Sequence, residues 1–185
     1  MTKAPTQFKS SDGSRLIIHK TSKSSGGELL EMEAIYPPKS PQPPLHYHPK
    51  QEEHFQVIRG IFQTHIGGVE EVYESGDTFT VPANTPHWMC NISDEEGALL
   101  WQVRPALNTQ AFFETMWGLE GDGETDSDGI PHILQLAVIL RAYNKEFRAS
   151  SPPYVAQSIL FGILAPIGKL KGYRAKYDKY SDPDS

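Results

Sequence analysis

Glycine and proline punctuate the chain at short intervals up to about residue 105, leaving short apolar runs between them. The runs at 16–20, 29–36, 53–59, 62–66, 71–73, 78–81, 87–91 and 98–104 read as strands. In the second of these, Leu30, Met32 and Ala34 alternate with Glu31 and Glu33, the period of a strand with one buried face. Many short strands separated by turn signals point to a sandwich or barrel. The stretch from Pro37 to Pro44 is too rich in proline to pair as a central strand and is expected as a loop.

After Pro105 the pattern changes. Residues 109–119 predict a short helix with Phe112, Phe113, Met116 and Trp117 on its apolar face, and an acidic, glycine-rich loop follows at 121–129. Residues 132–148 and 154–169 predict two further helices. The expected organisation is a mainly β barrel over 1–108 and a helical extension over 109–185, packed on the barrel or on a partner subunit. A chain of 185 residues is long enough for one domain with a real core and too short for two large ones.

Composition narrows the partners. With 38% hydrophobic and 22% charged residues the chain has the make-up of a soluble globular protein. Its formal net charge of -6 argues against a nucleic-acid partner, which needs clustered positive charge. Cys90 is the only cysteine, which excludes an intrachain disulfide and fits a reducing compartment. The N-terminal stretch has no apolar run of the secretory kind, so a cytoplasmic location is expected. The apolar run at 155–170 has a basic flank, yet it falls short of the roughly 20 residues that span a bilayer. It also carries Gln157, Ser158 and Pro166, so packing rather than membrane insertion is expected. Residues 133–140 are apolar nearly all round, which implies burial from several sides, and a homodimer is expected.

Chemistry concentrates in two stretches. His46 and His48, at i and i+2 on an extended segment, point to the same side. Glu53 follows across a bend, in register with Phe55 and Val57 as an inward-facing set, which turns Glu52 outward. Further on, a strand ends in a turn through Pro82 and Asn84, and His87 begins the next strand. Three imidazoles and a carboxylate suit one divalent transition metal: Fe, Mn, Zn, Ni, Co or Cu. Calcium and magnesium prefer all-oxygen shells. An octahedral ion with four protein ligands keeps two positions for water, substrate or dioxygen.

The two stretches resemble the signature motifs of the cupin superfamily, HxH-x4-E-x6-G and G-x5-P-x-G-x2-H-x3-N. His46, His48, Glu53 and Gly60 fall on the first; Gly76, Pro82, His87 and Asn91 fall on the second. Asn84 stands where the pattern has glycine, and asparagine tolerates the left-handed turn conformation that glycine supplies. The resemblance covers roughly 29–105 and implies a jelly-roll barrel, here with C-terminal α-helices, whose metal ligands are His46, His48, Glu53 and His87. It leaves the substrate open, because the superfamily holds dioxygenases, isomerases, epimerases, decarboxylases and non-catalytic binders.

Other features have plainer readings. His54 is expected to face away from Glu53, His65 to face solvent, and His19 and His132 to be surface or packing residues. Phe55, Val57, Phe79, Val81 and Met89 read as core or pocket lining. Glu124, Asp126, Asp128 and Gly129 echo a calcium loop, but Gln135 stands where the bidentate Glu belongs and Pro131 interrupts the loop. The expected function is that of a metal-dependent enzyme, dioxygenase-like, acting on a small organic molecule, with Fe(II) the favoured ion and Glu53 doubling as a proton shuttle. An oxygen-independent isomerase or cyclase is the first alternative. A non-catalytic binding protein is the second, since no general base or nucleophile stands out beyond the ligand set.

Overall fold

The computed structural model describes residues 6–126 and 129–181. The first five residues of the N-terminal stretch, Asp128 of the acidic loop and the last four residues of the extension lie outside the described residues. Ten strands precede the first helix: β1 (Thr6–Lys9), β2 (Arg15–Lys20), β3 (Leu30–Tyr36), β4 (His46–Tyr47), β5 (Glu52–Arg59), β6 (Ile61–Ile66), β7 (Val69–Glu74), β8 (Thr78–Val81), β9 (His87–Asn91) and β10 (Gly97–Arg104). Three helices follow, α1 (Thr109–Gly121), α2 (Ile133–Ala142) and α3 (Tyr154–Leu170), with a two-residue strand β11 (Arg148–Ala149) before the last.

Alternation builds the core. On β3, Leu30, Met32 and Ala34 are buried between half-exposed Glu31 and Glu33, and on β5 Glu53, Phe55 and Val57 are buried while Glu52 and Gln56 face solvent. The strands lie in two antiparallel sheets, ordered β1-β2-β3-β10-β5-β8 and β11-β4-β9-β6-β7. Phe62 from the smaller sheet joins Leu30, Met32, Phe55, Val57 and Leu99 from the larger in one cluster, so the sheets face each other across a shared core. The chain thus adopts the expected mainly β jelly roll with C-terminal helices. Its hydrogen bonds form two sheets rather than one continuous cylinder.

All eight expected strands are present. β1, β4 and β11 escaped sequence reading. β4 and β11 did so because two residues carry no alternation, and they pair with each other, Arg148 with Tyr47 and Ala149 with His46. The helix expected over 132–148 stops at Ala142. Asn144 donates from Nδ2 to the Arg141 carbonyl at 2.7 Å, a local bond that competes with the helical ladder, and Arg148 Nε donates to the Asn144 carbonyl at 2.8 Å. The released chain turns back to form β11. α2 is buried on two sides, as its all-round apolar sequence implies. Ile139 meets Phe112, Leu119 and Tyr143, while Ala137 and Val138 meet Ala165 of α3.

One motif glycine and two asparagines have structural reasons. Asn84 takes a φ of 63°, the left-handed turn, and its N–H donates to the His48 carbonyl at 2.8 Å. Gly60 turns β5 into β6 at a φ of 89°, and a Cβ there would lie 2.7 Å from Gly97 Cα and 3.4 Å from Asn91 Oδ1. Asn91, fully buried, donates to the Pro37 and Glu95 carbonyls and accepts from Ser93. The last residues of the two motifs therefore meet and lock the strand ends. Gly60→Ala is expected to lower the unfolding free energy by roughly 2–4 kcal/mol, from combined backbone strain and overpacking. A urea titration reads this as a lower midpoint at unchanged slope.

Candidate metal centre

β4, β5 and β9 bring the four expected residues to one point. His46 and His87 are directly paired across β4 and β9. The ring nitrogens of His46, His48 and His87 offer ligand atoms all within 4.8 Å of one another. Glu53 enters from the facing sheet, with Oε1 3.2 Å from His48 Nε2 and Oε2 3.0 Å from His87 Nε2. His48, Glu53 and His87 are buried, and His46 is half-buried at the edge.

The other nitrogen of each imidazole is committed to a backbone carbonyl. His46 Nδ1 donates to Pro44 at 2.8 Å, His87 Nδ1 to Thr85 at 2.9 Å, and His48 Nδ1 to Glu146. A carbonyl only accepts, so Nδ1 must carry the proton in each ring. In the neutral imidazole this leaves the lone pair on Nε2, the tautomer that metal-binding histidines need. Those lone pairs converge with carboxylate oxygens, an arrangement of acceptors facing acceptors. His48 Nε2 and Glu53 Oε2 are buried and make no hydrogen bond among the described residues. Leaving such atoms unpaired costs about 1–3 kcal/mol each. A divalent cation at the point of convergence would satisfy them, and the nitrogen-rich donor set fits a first-row transition metal.

Electrostatics agrees with this arrangement. Burial, reinforced by the neighbouring His87 and His48, pushes the His46 imidazole down to about 3, so it stays neutral. Burial alone would raise Glu53, but His48, His87 and His46 together pull it down to about 2 and keep it ionised. His87 moves the other way: burial lowers it, yet pairing with the Glu53 carboxylate outweighs burial and raises it above its ordinary value. Trp101 Nε1 donates to Glu53 Oε1 at 3.1 Å and fixes the carboxylate.

The C-terminal segment builds part of the surroundings, and sequence reading missed this. Phe147 stacks on His46 with ring centroids 4.9 Å apart. The Glu146 carbonyl holds His48, and the buried Glu146 carboxylate is itself held by the backbone N–H and side-chain amide of Asn108 at 3.2 and 3.0 Å. Gln51, fully buried, donates to the Pro105 and Ala106 carbonyls and to Thr109 Oγ1, tying the start of β5 to the start of α1. A backbone carbonyl leaves no mark in a sequence. The only available signal was the paired Glu146-Phe147 at the end of a helix-like stretch.

The four residues stand at one side of a cavity of about 630 Å3, a usual size for a small-molecule site. Phe55, Met89 and Trp101 from the strands, Phe113 and Trp117 from α1, and Phe147 line it. Phe55 and Met89 thus do line the pocket as expected, while Val57, Phe79 and Val81 belong to the core. His54 faces outward and pairs with Thr80, and Gln102 is held by Glu31 outside the cavity. His65 stacks on Trp88, 3.6 Å from Glu70. His132 caps α2 by accepting from the Leu134 N–H. In the acidic loop, Asp126 accepts from the Ile130 N–H and Gln135 donates to the Arg174 carbonyl.

Residues 32–103 match the cupin domain family model. The chain is 28% identical over 150 residues to a probable oxidoreductase, virH, of Hypocrea virens, covering 75% of this chain and 67% of the relative. It is 25% identical over 154 residues to an oxidoreductase of Arthrobotrys oligospora, covering 76% of this chain and 60% of the relative. Against the second of these the chain thus spans less than two thirds of the relative's length. Among solved structures, an RmlC-like cupin from Shewanella frigidimarina aligns with a TM-score of 0.48 at 19% identity, over 57% of this chain and 88% of that one. A predicted oxalate decarboxylase from Thermotoga maritima aligns with a TM-score of 0.47 at 17% identity, over 55% and 92%. Through residues 32–103, with both signature motifs in place, the chain carries a cupin domain.

Proposed function

We propose that the protein is a metal-dependent oxidoreductase, dioxygenase-like, that binds one Fe(II) through His46, His48, Glu53 and His87 and acts on a small organic molecule. The observation that carries this reading is the convergence of three Nε2 lone pairs and an ionised, buried carboxylate on one side of a cavity large enough for a substrate. The oxidoreductase names of the two fungal relatives support it.

When bound, the ion supplies Lewis acidity and one-electron chemistry toward dioxygen or substrate. The chain supplies the rest. The three Nδ1–H donors hold the imidazoles in one orientation, so no rotation is needed to meet the ion. Glu53 is anchored at Oε1 by Trp101, which leaves Oε2 as the oxygen that can accept and return a proton. The aromatic wall of Phe55, Trp101, Phe113 and Phe147 gives the reacting end of the cavity an apolar lining.

The chain is further proposed to be a cytoplasmic homodimer. Cys90 is a free, buried thiol, in keeping with a reducing compartment. None of the described helices is long and apolar enough to cross a membrane. α3 packs one face on α2 and presents Val155, Ile159, Ile163 and Leu170 outward, exposed by 70, 63, 61 and 90%. A symmetric pairing of two such helices would cover them. Light scattering is expected to give twice the chain mass, and Ile159→Glu together with Ile163→Glu to give the monomer.

Fe(II)-loaded protein is expected to consume oxygen with at least one member of a panel of catechols, enols and thiols, whereas His87→Ala retains no ion after desalting and consumes none. Oxygen uptake equal in the two proteins ends the dioxygenase reading; turnover that persists without oxygen points instead to an isomerase or cyclase. Metal affinity is also expected to depend on pH. His87, raised above its ordinary value, must release its proton to bind, while His46, near 3, has none to release. Affinity therefore falls as the pH is lowered from 8 to 6, approaching about tenfold per unit for one displaced proton. Zinc titration against a competing chelator at the two pH values measures it.

A further inference from the structure

The cavity contains one polar side chain that neither the ligand set nor the fold uses. Tyr36 ends β3, on the inward side of the alternation set by Leu30, Met32 and Ala34, and lines the cavity together with His46, His48, Glu53 and His87. Its ring is fixed edge-on against Phe62, centroids 5.6 Å apart. Its hydroxyl makes no hydrogen bond to any described residue.

Among the described residues, the other polar groups around the cavity are engaged, the exposed Gln42 apart. Ser10 and Ser11 donate to Glu120, Ser14 donates to Asp12, Arg15 pairs with Glu96, and the Ser40 hydroxyl accepts from the Asn91 N–H. Gln42 stands exposed at the rim. Tyrosine hydroxyls set deep in a protein usually find a partner. Here the side chain is only half-buried although it lies among core residues, because it faces the cavity rather than packed protein. The walls around it are flat and apolar: Phe55, Trp101, Phe113, Trp117 and Phe147.

We propose that Tyr36 is a substrate-binding residue, its O–H donating a hydrogen bond to an oxygen of a planar, largely aromatic ligand that the cavity walls sandwich. The inference rests on the reading of the four ligands above and names the class of molecule that site accepts: an aromatic or conjugated enol bearing at least two oxygens, one directed to the ion and one within reach of Tyr36. Burial and the nearby Glu53 charge hold the phenol well above its usual value, which keeps it a donor at any physiological pH. An apolar pocket with one well-placed donor selects against analogues lacking the matching oxygen, because a buried donor would then go unpaired.

The probe is 4-nitrocatechol, titrated by its visible absorption into zinc-loaded wild-type protein and into zinc-loaded Tyr36→Phe, with zinc content measured separately. Tyr36→Phe keeps the ring against Phe62 and removes only the hydroxyl. The expected result is about one zinc per chain in both proteins, Tm within about 2 °C of each other, and binding roughly tenfold weaker in the variant. Three results overturn the assignment: equal affinities; a clear loss of stability in the variant, which would give the hydroxyl a structural partner; or zinc-loaded wild type that does not bind the probe. A wild-type protein that takes up no zinc overturns the parent reading and this one together, and the zinc content alone identifies that case.

Discussion

The candidate metal centre depends on three hydrogen bonds that point away from it. Each imidazole gives its Nδ1–H to a carbonyl of Pro44, Thr85 or Glu146, and the direction of that bond decides where the remaining lone pair goes. Without them the rings could rotate or change tautomer, and the convergence on Glu53 would be one arrangement among several. These carbonyls belong to irregular backbone, where they have no ladder partner to satisfy. The loops around the site are thus part of its chemistry, and the sheets serve to hold the loops at fixed distances.

The sheets do so by locking their own ends. Gly60, Asn91 and Gly97 meet where two strand turns pass within contact distance, and the asparagine side chain takes up the carbonyls that the turns leave over. At the other end Gln51 draws β5 against the start of α1, and Asn108 clamps Glu146. Two polar clamps therefore fix the strand that carries Glu53 and the loop that orients His48. Gln51 and Glu146 are buried, where a hydrogen bond is strongest and an unpaired group most costly, and Asn108 reaches Glu146 from the surface.

How much of this was legible depended on residue type. The strands were readable because Leu30, Met32 and Ala34 alternate with glutamates, and the clustering of His46, His48, Glu53 and His87 because they sit at motif spacing. The left-handed turn at Asn84 was readable from what asparagine tolerates. The pairing of β4 with β11 was not, since two-residue strands have no period. Nor was the early end of α2: residues 143–148 look helical in sequence, and only Asn144 and Arg148, bonding to nearby carbonyls, divert them. The role of Tyr36 was hidden for a related reason. A tyrosine at the end of an alternating strand looks like any other packed aromatic until the space in front of it is known.

The docking of Glu146 and Phe147 onto His48 and His46 joins residues 98 positions apart in the chain, and this has a consequence for the order of assembly. During synthesis the histidines emerge long before the segment that orients one of them and covers another. Until then the His48 ring lacks the carbonyl that orients it and the His46 ring lacks the aromatic face that covers it. The segment between α2 and α3, remote from the motifs in sequence, thereby completes the surroundings that those motifs begin.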